Sequence, residues 1–115
     1  MDNKKFEEII EKAILQLPVE FKDGLENIEI TIEDLPNFKQ PKRTILLGLY
    51  QGVPLDERSH YYAGILPDKI TLYRKNIEAV CSTEDEMIEQ IRTTLLHEIG
   101  HYFGISDKKL RELGY

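Results

Sequence analysis

The chain has 115 residues, 41% of them hydrophobic, and a formal net charge of -6, enough for one domain with a modest core but not for a second lobe. The acidic balance and the absence of any sizeable Lys/Arg cluster argue against a nucleic-acid partner, and the apolar runs are too short to span a bilayer. A lone cysteine, Cys81, allows no internal disulfide and suits a reducing cytoplasm, and Met1 to Lys5 leads into no signal-peptide core.

In chain order, Phe6, Ile9, Ile10, Ala13, Ile14 and Leu17 recur at helical spacing and Pro18 ends the run, so residues 3–17 are expected to form an amphipathic helix. Ile28 to Glu33 alternates strictly, the pattern of a half-buried strand. A polar, proline-containing loop (36–43) precedes an apolar second strand over 44–50, with Gly48 as a bulge or close-approach site. Residues 61–66 and 69–73 read as strands flanking a Pro67-Asp68 turn. Thr83 and Glu86 form a capping box that opens a long helix running to about Phe103. The acidic run Glu84-Asp85-Glu86 suits the positive end of its dipole. Ser106 caps a last short helix over 107–113. This order predicts a single α+β domain over 1–115, one mixed sheet packed on an N-terminal helix and a long C-terminal helix.

The long helix carries the chemistry. His97-Glu98-Ile99-Gly100-His101-Tyr102-Phe103-Gly104-Ile105-Ser106-Asp107 reads HExxHxxGxxD. Residues four apart share a helix face, so His97 and His101 can converge on one zinc ion, with Glu98 beside the metal where a base takes a proton from bound water. A residue six positions beyond His101 cannot reach that ion along the helix. Gly104 permits the left-handed turn that ends helices, after which Asp107 can return as third ligand. Two imidazoles and a carboxylate leave a fourth position open, as in a catalytic rather than a structural zinc site. Ile88, Ile91, Leu95 and Ile99 form the core-facing stripe, and His97 and His101 point away from it with Gln90 and Thr94.

HEIGHYFGISDKKLRELGY, preceded by LLGLYQGVPL and LPDKITLYR, resembles the small bacterial zincin-like metallopeptidases, or minimal zincins, over about residues 5–115. The resemblance implies a zincin fold reduced to its sheet and active-site helix. It also implies zinc ligands His97, His101 and Asp107 and a catalytic base Glu98. Metzincins place a third His where Asp107 stands and need a later Met turn, whereas both methionines here precede the motif. Gluzincins take a Glu from well downstream, and the only downstream one, Glu112, is too near.

The expected activity is hydrolysis of a peptide bond in a peptide or protein substrate, by a zinc-activated water with Glu98 as proton carrier. The alternative is a zinc-binding regulatory or interaction module whose proteolysis is vestigial. Tyr50, Tyr62, Tyr73, Tyr102 and Tyr115 are candidate oxyanion donors, each equally a packing residue. The stretch Leu47 to Gly52 is a candidate edge for a substrate strand. His60, in a polar loop, reads as a surface residue, and Arg74 and Lys75 as a solvated face.

Overall fold

Helix α1 (Asn3–Leu15) starts where the Asp2 side chain accepts the Lys5 N–H at 2.8 Å, an N-cap bond that satisfies one of the helix's free donors. Its apolar spacing puts Phe6, Ile9, Ile10 and Ala13 on one buried face. The helix stops two residues before the expected end, and Leu17 turns inward beyond it. The computed structural model describes residues 1–40, 42–52 and 68–115.

A short helix, α2 (Val19–Gly24), follows Pro18, whose fixed φ of -57° leads the chain into the turn. At six residues it is too short to show periodicity, and the sequence did not predict it. A single 3-10 turn joins it to β1 (Ile28–Glu33), the strand expected from the alternation. β2 (Gly48–Gln51) starts later than expected. The Leu46 N–H donates to Gln40 Oε1 at 2.7 Å and its carbonyl accepts from Asn76 Nδ2 at 2.8 Å, so side chains take the groups a longer strand would have used. β3 (Asp68–Tyr73) includes Asp68, a residue expected in a turn. The expected strand at 61–66, Pro67, His60 and Tyr62 lie outside the described residues.

The described strands form a mixed sheet in the order β1-β3-β2, with β1 parallel and β2 antiparallel to β3. β3 runs straight into α3 (Arg74–Val80), a helix that the sequence also did not announce, since no breaker separates Tyr73 from Arg74. Arg74 is not simply solvated. It donates to Asp34 at 2.7 Å and to Glu78 at 3.2 Å, which ties the start of α3 to the end of β1.

The long helix α4 (Glu84–Tyr102) and the short α5 (Asp107–Glu112) complete the order. α4 packs on α1, β2 and β3. Ile91, Leu95 and Ile99, all fully buried, join the fully buried Phe6, Ile9, Ala13, Ile70 and Leu72 in one core. Burying an aliphatic side chain of this size contributes roughly 1.5–3 kcal/mol. This is the α+β arrangement expected, a mixed sheet against an N-terminal and a long C-terminal helix. Among the described residues no helix is long and apolar enough to cross a membrane.

Candidate metal centre

The start of α4 fixes its register. Thr83 Oγ1 accepts the Glu86 N–H at 3.1 Å, one half of the expected capping box. The other half is displaced by one residue, for Glu86 Oε2 accepts from the Ser82 N–H at 2.7 Å rather than from Thr83. With the core stripe facing inward, His97 and His101 lie on the opposite side with 29% and 39% of their side chains exposed.

Three local features bring the chain back after α4. The Gly104 N–H donates to the His101 carbonyl at 3.0 Å and the Ile105 N–H to the Gly100 carbonyl at 2.7 Å. This is the paired bonding of a Schellman turn, with Gly104 at φ 78°, where only glycine is free of a Cβ penalty. Ser106 then caps α5 through the Lys109 N–H at 3.1 Å. Finally Leu110, fully buried, seats against Gly100, where an added Cβ would stand 2.7 Å from its Cδ1.

These features place Asp107 at the first turn of α5 with Oδ1 3.2 Å from His97 Nδ1 and 3.2 Å from His101 Nε2. The His97 hydrogen bond, seconded by His101, holds the Asp107 carboxyl below the usual carboxylate range.

Glu98 lies in a different setting. Its side chain is 14% exposed, and Oε2 accepts the Tyr50 N–H from β2 at 3.0 Å while standing 3.2 Å from His101 Nδ1. Burial pushes its pKa up, against the opposing pull of His101 and the Tyr50 N–H. The two carboxylates are thus driven apart, Asp107 held anionic by its imidazole partners and Glu98 made readier to carry a proton by burial. β2 approaches α4 closely enough for this contact because Gly48 has no side chain. A Cβ there would meet Thr94 Cγ2 at 2.7 Å.

Donors bound to a tetrahedral zinc at 2.0–2.1 Å stand about 3.3–3.4 Å apart. The two 3.2 Å separations from Asp107 Oδ1 fit those edges, and imidazole and carboxylate donors suit zinc. Even so, among the described residues no three such side chains stand in a finished metal-holding cluster. Asp107 Oδ1 is hydrogen-bonded to both rings, and its side chain is 54% exposed.

Size alone does not single out this place. Hollows of about 470 Å³ between α1 and β1 and about 440 Å³ between α3 and α4 are larger than the groove of about 260 Å³ beside His97 and Glu98. The described tyrosines mostly pack. Tyr50 and Tyr102 meet edge to face at 6.1 Å, and Tyr115, far from a free oxyanion donor in its contacts, stacks edge-on to Phe21 at 5.3 Å. Tyr73 is buried, which raises its hydroxyl pKa. Cys81, half-buried against the core, has its thiol pushed up by burial, as suits a small hydrophobe. Two contributors were not expected from the sequence. Gly100 had a signal, since glycine inside a helix costs about 1 kcal/mol relative to alanine. The Tyr50 N–H had none, being 48 residues from Glu98.

A conserved hypothetical protein from Thermo thermophilus is similar in fold, with 24% identity and a TM-score of 0.60 over 98% of this chain and 97% of that one. No curated protein matches. Residues 25–115, which contain every residue of the candidate centre and the three described strands, match the family model of zincin-like metallopeptidases. The chain belongs to the zincin-like metallopeptidase family.

Proposed function

We propose that this protein is a zinc-dependent peptidase in which His97, His101 and Asp107 hold one zinc ion and Glu98 is the general base. The observation that carries the reading is the meeting of Asp107 Oδ1 with a nitrogen of each imidazole at 3.2 Å, achieved by a dedicated turn and helix. When bound, zinc supplies Lewis-acid chemistry, polarising a carbonyl and acidifying water. The chain's own residues do the rest. Asp107, held anionic, offers charge to the cation. Glu98 Oε2 is engaged by the Tyr50 N–H and faces His101, which leaves Oε1 to take up a proton and return it to the departing amine. Burial raises the pKa of Glu98, which makes its carboxyl a better proton acceptor. Among the described strands β2 is outermost on this side of the sheet, and a peptide substrate lies along it, beside Glu98, as an added strand. A reducing cytoplasm suits the unpaired Cys81.

A second reading has one observation in its favour. Glu98 Oε2 faces Nδ1 of His101, the position from which a carboxylate orients a metal-bound imidazole. Glu98 then serves zinc binding, and the protein is a binding or regulatory module. The test is digestion of a diverse peptide mixture by zinc-loaded wild type and Glu98→Gln, read by mass spectrometry, with zinc affinity measured for both. A peptidase loses its cuts by a factor of about 10²–10⁴ in the variant while zinc affinity holds. No cuts by the wild type, together with a variant that binds zinc about 10–100-fold more weakly, selects the module.

A further inference from the structure

On the reading that peptides dock on β2, we propose that Gln40 and Asn76 cap this edge, so that the protein takes a short stretch at one end of a peptide chain and not the interior of a long strand. The argument begins with the antiparallel register. The Tyr73 N–H donates to the Leu47 carbonyl at 2.9 Å, and Leu49 and Gln51 pair with Thr71 and Lys69. Residues 47, 49 and 51 therefore turn their backbone groups toward β3, and the alternate residues 46, 48 and 50 turn theirs outward.

An incoming strand bonds to those outward groups, and several are engaged. The Tyr50 N–H is given to Glu98. The Leu46 N–H goes to Gln40 Oε1 and the Leu46 carbonyl accepts from Asn76 Nδ2, which also stands 3.5 Å from Gln40 Oε1. Gln40 and Asn76 thus act as one amide pair that imitates a neighbouring strand at Leu46. Among the described residues, what the edge offers a peptide centres on the N–H and carbonyl of Gly48. Alternate residues are about 6.8 Å apart along a strand, so a docked chain meets the cap within about two residues of Gly48.

The groove has the matching size and chemistry. Gly48 lies at its floor, and Leu46, Leu47, Gln90, Thr93 and Thr94 wall it up to His97 and Glu98. Its volume of about 260 Å³ is below the 300–1,000 Å³ of a cleft that swallows a drug-sized ligand. Among the described residues Glu98 is the one carboxylate lining it, beside the His97 ring at its inner end, and the other lining residues are uncharged, so the substrate class is a short peptide or chain end with an uncharged residue next to the scissile bond.

The experiment uses random-sequence peptide libraries of fixed length, from three to twelve residues. Zinc-loaded wild type is expected to cut within two residues of one terminus at every length. The double variant Gln40→Ala/Asn76→Ala is expected to gain interior cuts by about tenfold, from two freed backbone groups each contributing one ordinary hydrogen bond. Faster amide exchange at Leu46 with unchanged urea stability verifies that the variant is folded and uncapped. Interior cuts by the wild type overturn the proposal. So does an uncapped variant with an unchanged pattern, including one that only self-associates edge to edge. A binding arm with zinc-loaded Glu98→Gln separates this from the peptidase reading. Affinity that stops rising beyond about three residues, and keeps rising once the cap is removed, supports the cap even where the wild type cuts nothing. No length limit, or no binding at any length, overturns it.

Discussion

The α1–α4 contact and the α4–α5 corner share one helix and are held in different ways. On the first, Phe6, Ile9 and Ala13 join Ile91 and Leu95 in an apolar core whose side chains carry no hydrogen-bonding group. On the second, two Schellman hydrogen bonds, the Ser106 cap, the Gly100–Leu110 seat and the two bonds of Asp107 each fix one coordinate of a short chain reversal. Apolar contact is additive and tolerant of reshaping at constant volume. A directional corner has no spare member, so damage there moves Asp107, the proposed third ligand, before it unfolds the domain. Stability and chemistry are therefore separable along α4.

The largest effect expected is on the core side. Ile91→Ala removes a fully buried side chain and leaves a cavity, at a cost of about 2–5 kcal/mol. Urea denaturation should show that loss, while zinc affinity of the folded fraction stays within about twofold of wild type. A parallel collapse of zinc affinity breaks the comparison, because it makes the core and the corner one unit.

The same division explains what the sequence discloses. α1, β1 and α4 were legible because each buries a face with its own period, and Asp107 because Gly104 announces a helix end three residues before it. α2 and α3 were not, since six or seven residues give too few turns to show a period. The start of β2 was hidden because two side chains, Gln40 from the preceding loop and Asn76 from 30 residues further on, occupy the Leu46 backbone. The partner of Glu98 was equally hidden, for a backbone N–H leaves no mark on residue identity. Local chemistry within α4 and α5 could be read, and the contacts of the site with the sheet could not.

An intermediate effect is expected at the corner. Gly100→Ala gains about 1 kcal/mol of helix propensity, yet its Cβ stands 2.7 Å from Leu110 Cδ1 and 3.1 Å from Cδ2. Overpacking of this kind costs about 1–3 kcal/mol, so net stability should fall by roughly 0–2 kcal/mol. Because Leu110 is the seat of α5, the helix shifts and Asp107 with it. Zinc affinity, measured by competition with a chelator, should weaken by about tenfold, in the range seen when the support of a ligand is lost. Unchanged affinity means that Leu110 rotates in place and α5 does not position the ligand.

The smallest effect belongs to the rim of the α1–α4 contact, where directional charge reappears at the surface. Glu84 Oε1 meets Lys5 Nζ at 3.2 Å and Lys12 Nζ at 3.1 Å, and the Lys12 and Lys5 bonds lower the Glu84 pKa from its ordinary 4.5. A carboxylate whose pKa is lowered on folding stabilises the fold fully above its unfolded value and loses that contribution as pH falls through the lowered one. The difference in melting temperature between wild type and Glu84→Gln should thus be small and constant above about pH 5 and disappear as the carboxylate is protonated in acid. Because exposed pairs are screened, added salt should shrink it too. A difference that persists in acid and in salt would assign Glu84 to packing or to the helix start, and the rim would then behave like the core it borders.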